Sequence, residues 1–230
     1  MRSAKCARQA LEIQSSLMQA TRIIAIRHGE TAWNVDTRIQ GGLDIELNAT
    51  GRWQAQRLAQ ALIDEPIDAI YSSRLLRAWD TARAIADATG VQAQACSDLR
   101  ERSFGVFQGK TFSEIEAAWP EQALCWRRRE PDWTPEGGES LAQLRQRIVQ
   151  TACELAQRHA GEQIVLVAHG GVMDMLYRAA TGQDLQTARS WNLGNASINR
   201  LLWTPQGLTL IGWADTRHLD ELATLDESNT

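Results

Sequence analysis

A single three-layer α/β/α domain, with a mostly parallel central sheet, helices on both faces and a C-terminal hairpin, is the fold this chain predicts. Three observations carry that reading. Short β-branched runs alternate with helix-like stretches along the sequence, the pattern of a parallel sheet with crossover helices. Two of those runs, Ile23-Ile24-Ala25-Ile26 and Ile164-Val165-Leu166-Val167-Ala168, are continuously apolar, as strands buried on both faces are, and each leads into a His-Gly pair. Finally, Pro205-Gln206-Gly207 separates two late apolar runs, a tight-turn signal.

The elements follow in order. A strand over Ile23 to Arg27 opens the domain, followed by a loop through Gln40-Gly41-Gly42. Thr50 has the chemistry of an N-cap for a helix reaching Ile63, with Trp53, Leu58 and Leu62 as its apolar residues. Ile67 to Tyr71 reads as the second strand, Ser72-Ser73 as its exit and Arg74 to Ala88 as a helix. A short strand near Val91 to Ala95 precedes a loop from Leu99 to Gly109. Helices are expected over Thr111 to Trp119 and, after the turn-rich Pro131 to Gly138, over Ser140 to His159. The Ile164 strand, a helix from Gly171 to Ala180, and paired strands over Ile198 to Trp203 and Leu208 to Trp213 complete the domain, which spans 21–220. Residues 1–20 read as an N-terminal extension in which Met18 is an alternative start, and 221–230 as a tail.

Composition narrows the function. The 230 residues suffice for a substantial core, and 43% hydrophobic with 23% charged residues is the balance of a globular enzyme-sized domain. A net charge of −4 without a long basic block argues against general nucleic-acid or membrane-surface binding. Cys6, Cys96, Cys125 and Cys153 have no metal-ligand spacing, so free thiols and a cytoplasmic setting are expected. The nine tryptophans follow no repeat and are expected in the core and pocket walls. A homodimer through an edge strand or the hairpin is compatible with the sequence.

In open α/β sheets, ligands bind outside the carboxyl ends of the strands. Arg27 and His28 stand at the end of the first strand and His169 at the end of another. Arg77 falls in the early turns of the helix after Ser72-Ser73, and Glu101 lies in the loop that opens at Leu99. Two arginines, two histidines and one carboxylate make a cationic pocket with a single acid. Guanidinium groups pair bidentately with phosphate oxygens, and glycine after each histidine lets backbone N–H groups approach an anion. His159 and His218 lie away from these motifs and are read as solvent-exposed or structural, while Arg74 and Arg83 read as surface residues.

Arg27-His28-Gly29-Glu30-Thr31 resembles the signature of the histidine phosphatase superfamily, also called the phosphoglycerate mutase-like family. The resemblance extends through Asn34, Gln40-Gly41-Gly42-Leu43-Asp44, the Ser72 to Ala82 stretch, Leu99-Arg100-Glu101 with Phe104-Gly105 and Gly109, Pro135 to Ser140, and Val167 to Gly171. It implies His28 as nucleophile forming a phosphohistidine, with Arg27, Arg77 and His169 on the non-bridging oxygens. It further implies Glu101 as general acid and base, and Asn34, Gln40, Gly41 and Gly170 as substrate contacts. No metal or cofactor is implied, because side chains supply the positive charge.

Within the family, a phosphomonoesterase acting on a small phosphate ester is favoured over a mutase. Only 68 positions separate Glu101 from His169, where family mutases carry a longer insertion, and Ser103 stands where mutases have a tyrosine two residues after the acid. Trp126-Arg127-Arg128-Arg129 keeps the mutase alternative open, since a similar stretch contacts the substrate carboxylate there. Arg128 is accordingly a candidate substrate contact, and the stretch tilts the expectation toward substrates with a second anionic group. A non-catalytic phospholigand-binding protein is the remaining alternative.

Overall fold

The computed structural model describes residues 20–220, so expectations for the extension, the Met18 start and the tail lie outside the described residues. One six-stranded sheet organises the chain, in the order β3-β2-β4-β1-β5-β6. Its strands are β1 (Thr21–Arg27), β2 (Ala69–Ser72), β3 (Ala93–Ala95), β4 (Gln163–Ala168), β5 (Ile198–Thr204) and β6 (Gly207–Asp215). The first four run parallel; β5 joins β1 antiparallel and forms the C-terminal hairpin with β6.

The α-helices are α1 (Ala32–Val35), α2 (Ala49–Leu62), α3 (Leu76–Thr89), α4 (Phe112–Ala118), α5 (Pro120–Arg127), α6 (Leu141–Arg158) and α7 (Gly170–Thr181). Alternation along the strands decides which helix packs where. Ile23 and Ala25 of β1, with Ile164 and Leu166 of β4, meet Leu144, Ile148, Val172 and Leu176 of α6 and α7. Ile24 and Ile26, with Val165 and Val167, face the other way onto Leu58, Leu62, Ala82 and Ile85 of α2 and α3. A third, aromatic cluster around Phe107, Ile115 and Ala123 holds α4 and α5 as a cap near the strand ends.

Local differences from the sequence expectation have identifiable causes. The N-cap of α2 is Asn48 rather than Thr50: the Asn48 side chain accepts from the Gly51 N–H at 2.7 Å, so Thr50 falls inside the first turn. Trp53 is 40% exposed, because the buried stripe of α2 is Ala55, Leu58, Ala59 and Leu62, and Trp53 lies about 200° round the helix from Ala55. Ile67 is buried in the approach to β2 rather than in the strand, and the third strand contracts to Ala93–Ala95. Helix α5 has no counterpart in the sequence reading. Pro120, which reads as the stop of one helix, sits at the first position of the next, where its missing N–H costs nothing. His159 is structural, hydrogen-bonded to the Tyr71 hydroxyl and the Glu162 carboxylate, and His218 contacts the Ala196 carbonyl.

Candidate active site

The register of the two central strands builds the site. Arg27 of β1 pairs with Ala168 of β4, and the His28 N–H donates to the Ala168 carbonyl at 3.0 Å. The next residues on both strands, His28 and His169, therefore emerge side by side. Their ring centroids are 5.3 Å apart, tilted by 59°. Strand β2 ends level with them, Ser72 opposite Val167, and turns through Ser73 into α3, which carries Arg77.

Each group is held in a defined state. His28 Nδ1 lies 2.7 Å from the Gly29 carbonyl, which fixes the proton on Nδ1 and leaves Nε2 with its lone pair. Burial, and then the charges of Arg27 and Arg77, hold His28 well below the ordinary histidine range. His169 is fully buried with neither ring nitrogen hydrogen-bonded within the protein, and burial followed by Arg77, His28 and Arg27 lowers it likewise. Both rings are neutral at pH 7.

Arg77 is 1% exposed, and its Nη1 and Nη2 donate to the Leu43 and Gly41 carbonyls, each at 2.8 Å, while its Nε has no partner. Burial lowers its pKa to about 10, opposed by Glu101 and Asp44. Gly41 adopts φ +51°, the left-handed conformation that turns its carbonyl toward Arg77. Arg27 donates from Nη1 to the Leu193 carbonyl and also keeps a free Nε. Glu101 accepts from its neighbour's N–H, Arg102, at 2.8 Å and from the Gly171 N–H at the start of α7 at 3.1 Å. Asn34 commits its side-chain oxygen to Thr31 and Asn195, leaving its amide nitrogen for the space it lines.

Arg27, His28, Asn34, Gln40, Gly41, Arg77 and Glu101 surround a cavity of ≈ 160 Å³. It shares Arg27, Asn34, Arg38, Ile39 and Phe104 with a larger chamber of ≈ 690 Å³, where Gly170 also lies. The arrangement thus brings the strand-end residues chosen from sequence together, with two exceptions. Arg128 is exposed at the C-cap of α5 and lines neither space; its neighbour Arg129, turned inward by a φ of +52°, lines the chamber. The Gly29 N–H, expected to face an anion, donates instead to the Thr81 hydroxyl at 3.1 Å. Glycine is needed there because a Cβ would stand 2.4 Å from the Gly51 carbonyl oxygen.

Sequence reasoning missed Arg38, Arg102, Asp174, Arg189 and Asn195. Arg102 is 3% exposed, donates to the Glu139 carbonyl at 2.7 Å, and has its pKa lowered by burial to about 10. Its position directly after Glu101 was the available signal; Arg38, Arg189 and Asn195 sit in loops without a periodic pattern, and Asp174 is a lone acid among the buried residues of α7. Among the described residues, no group of three or more His, Cys, Asp or Glu side chains could hold a metal ion, and no helix is long and apolar enough to cross a membrane.

Paired neutral histidines between the buried Arg77 and the half-buried Arg27, at the carboxyl ends of parallel strands, define an enzyme that handles phosphate esters. The family model for the histidine phosphatase superfamily (branch 1) matches residues 23–216, and the chain belongs to that superfamily. It is a metal-independent enzyme of the hydrolase or mutase-like kind. The chain is 40% identical over 204 residues to phosphoglycerate mutase-like protein 4 of Arabidopsis thaliana, covering 86% of this chain and 87% of that one. It is 36% identical over 211 residues to a metal-independent phosphoserine phosphatase of the same plant, covering 90% and 87%. The native structure of a mycobacterial glucosyl-3-phosphoglycerate phosphatase superposes with a TM-score of 0.77 at 33% identity, covering 86% of this chain and all of that one.

Proposed function

We propose that the chain hydrolyses a small phosphorylated metabolite through a phosphohistidine on His28, with Glu101 as general acid and base and no metal. The observation that carries this reading is the His28 Nδ1 contact to the Gly29 carbonyl, which leaves Nε2 unprotonated beside the buried Arg77 and the half-buried Arg27. In the first step the Nε2 lone pair forms a bond to phosphorus as the ester P–O bond breaks. Protonated Glu101 gives its proton to the departing alkoxide. Arg27 and Arg77, whose Nε atoms have no protein partner, donate to the non-bridging oxygens and stabilise the charge that spreads there, and His169 adds a ring N–H. Water then attacks the phosphohistidine, Glu101 takes its proton, the N–P bond breaks, and inorganic phosphate leaves.

Hydrolysis is favoured over mutase chemistry because Ser103 follows Glu101 where a mutase tyrosine would stand, and because the ≈ 690 Å³ chamber leaves room for water beside the cavity. Two of the similar proteins are named as phosphatases, one of phosphoserine and one of glucosyl-3-phosphoglycerate. The test is phosphate release from a panel of phosphomonoesters at about pH 5 to 8 with chelator present. Release should survive chelation and fall on the order of 10³-fold or more in His28→Ala. Wild-type turnover in that variant would remove His28 as nucleophile. Primer-dependent exchange without release would instead assign a mutase.

A further inference from the structure

The chamber beside the catalytic cavity has an imbalance of charge that one phosphoryl group does not account for. Five arginines, Arg27, Arg38, Arg102, Arg129 and Arg189, line it, against the single carboxylate Asp174. Four of the five are engaged by the protein. Arg38 donates to the Gly109 carbonyl and pairs with Glu114 at 3.1 Å. Arg129 pairs with Asp174 at 2.7 Å and donates to the Leu185 carbonyl. Arg102 is fixed on the Glu139 carbonyl and Arg27 on the Leu193 carbonyl. Arg189 alone makes neither a hydrogen bond nor an ion pair among the described residues, and its side chain is exposed where it lines the chamber. Its charge is felt at Arg27, whose pKa it helps to lower, so the two guanidinium groups act within one electrostatic site.

An exposed arginine is ordinarily a mobile surface charge, but the segment carrying this one is anchored before it by the Thr187 carbonyl, which accepts from Arg178 at 2.9 Å, and after it as well. Two residues later, Trp191 stacks on Tyr177 with centroids 4.1 Å apart and lies under Arg178 at 4.7 Å. The Asn192 carbonyl accepts from Trp213 Nε1 at 2.8 Å, and the Leu193 carbonyl accepts from Arg27 itself. The backbone bearing Arg189 is thus tied to the catalytic arginine through four residues of fixed loop. Such pre-organisation lowers the entropy lost when the guanidinium closes on a ligand.

We propose that Arg189 is the specificity-determining residue of the chamber and binds a carboxylate carried by the alcohol portion of the phosphate ester. A carboxylate matches one unpaired guanidinium in charge and in its planar, two-oxygen geometry, whereas a second phosphate dianion would need two such partners. The substrate class is therefore a phosphorylated hydroxy acid, long enough to reach from the cavity into the chamber, whose ≈ 690 Å³ also suits a larger substituent on the acid.

This inference rests on the hydrolase reading and is tested on the full chain with two probes of the same carbon skeleton. They are 3-phosphoglycerate, which has the carboxylate, and glycerol 3-phosphate, which has a hydroxymethyl group in its place. The wild type should prefer the first by kcat/KM. Arg189→Ala should lower the ratio of the two kcat/KM values by roughly 10- to 100-fold, the worth of a charge-assisted contact, mainly through KM for the acid. Arg189→Lys should fall between, since the charge remains and the fork is lost. An unchanged ratio in Arg189→Ala, or no wild-type preference, would overturn the assignment while leaving the hydrolase reading intact. Absence of phosphate release from both probes and from an aryl phosphate would instead overturn the hydrolase reading, and this inference with it.

Discussion

The Glu101 carboxylate rests on the Gly171 N–H at 3.1 Å, in a space that exists only because residue 171 has no side chain. A Cβ there would stand 2.3 Å from Glu101 Oε1 and 3.5 Å from Leu144 Cδ2. The start of α7 thus fixes the acid by a hydrogen bond and by its dipole, while the missing methyl decides where the carboxyl can sit. Gly171→Ala should keep the fold, because the atom it displaces is the end of a flexible side chain, but should push the acid off its seat. Turnover of alkyl phosphates is expected to fall by about 10- to 100-fold, and that of activated aryl phosphates by much less. Glu101→Gln should give the same pattern. Comparison of the two ester classes is the check, and an equal loss on both would make Glu101 a structural residue.

Arg77 is both a phosphate ligand in the proposed mechanism and the clamp of the Gln40 to Asp44 loop. Two of its nitrogens are committed to the Gly41 and Leu43 carbonyls, leaving Nε for substrate. A lysine has one point of charge and cannot serve three acceptors in a plane. Arg77→Lys is therefore expected to lower kcat/KM by on the order of 10²-fold. It should also loosen the loop, measurable as faster amide exchange at Gly42 and Leu43. Retention of wild-type kcat/KM would remove Arg77 from the chemistry.

The two buried histidines make stability depend on pH in one direction. Both are held well below their ordinary value of about 6.5, chiefly by burial and then by neighbouring arginines. As pH falls below about 6.5 the unfolded chain takes up protons that the native site refuses, so stability is complete above that value and declines below it. Each histidine should contribute a slope of about 1.4 kcal/mol per pH unit until its native pKa is reached. Urea unfolding in phosphate-free buffer would measure this slope, and His169→Gln should lower it by the share of one histidine. An identical slope in that variant would mean that carboxylates account for the pH dependence.

The strand ends were the legible part of the site, for a physical reason. The apolar runs of β1 and β4 are buried on both faces, so the polar residues that end them, Arg27 with His28 and His169, mark where the sheet stops and solvent chemistry begins. Adjacent register then brings the pair together without any sequence signal of its own. Loop residues carry no such period: Arg189 and Asn195 reach the site only through contacts made in three dimensions. The choice of Arg128 over Arg129 turned on one backbone angle, the positive φ after α5, which no composition rule predicts for arginine. Helix α5 was hidden by Pro120, a residue that ends one helix and starts the next.

Asp174 supports the chamber from beneath. Its Oδ2 accepts from Arg129 at 2.7 Å and from Arg178 at 3.2 Å, and Arg178 is entirely buried, held also by the Asp184 and Thr187 carbonyls. Removing the carboxylate would leave two buried or half-buried guanidinium charges without a counter-ion. Asp174→Ala should therefore cost about 3–5 kcal/mol of stability in urea unfolding, far more than an exposed pair would. Replacing Arg178 by methionine in the same chain should recover part of the loss, because the stranded charge goes with it. Trp191 packs on that guanidinium, so the single variant should also loosen the segment carrying Arg189 and raise KM for a carboxylate-bearing ester more than it lowers kcat. A loss confined to kcat, with KM and stability unchanged, would show instead that Asp174 acts on the reacting atoms and not as the foundation of the chamber wall.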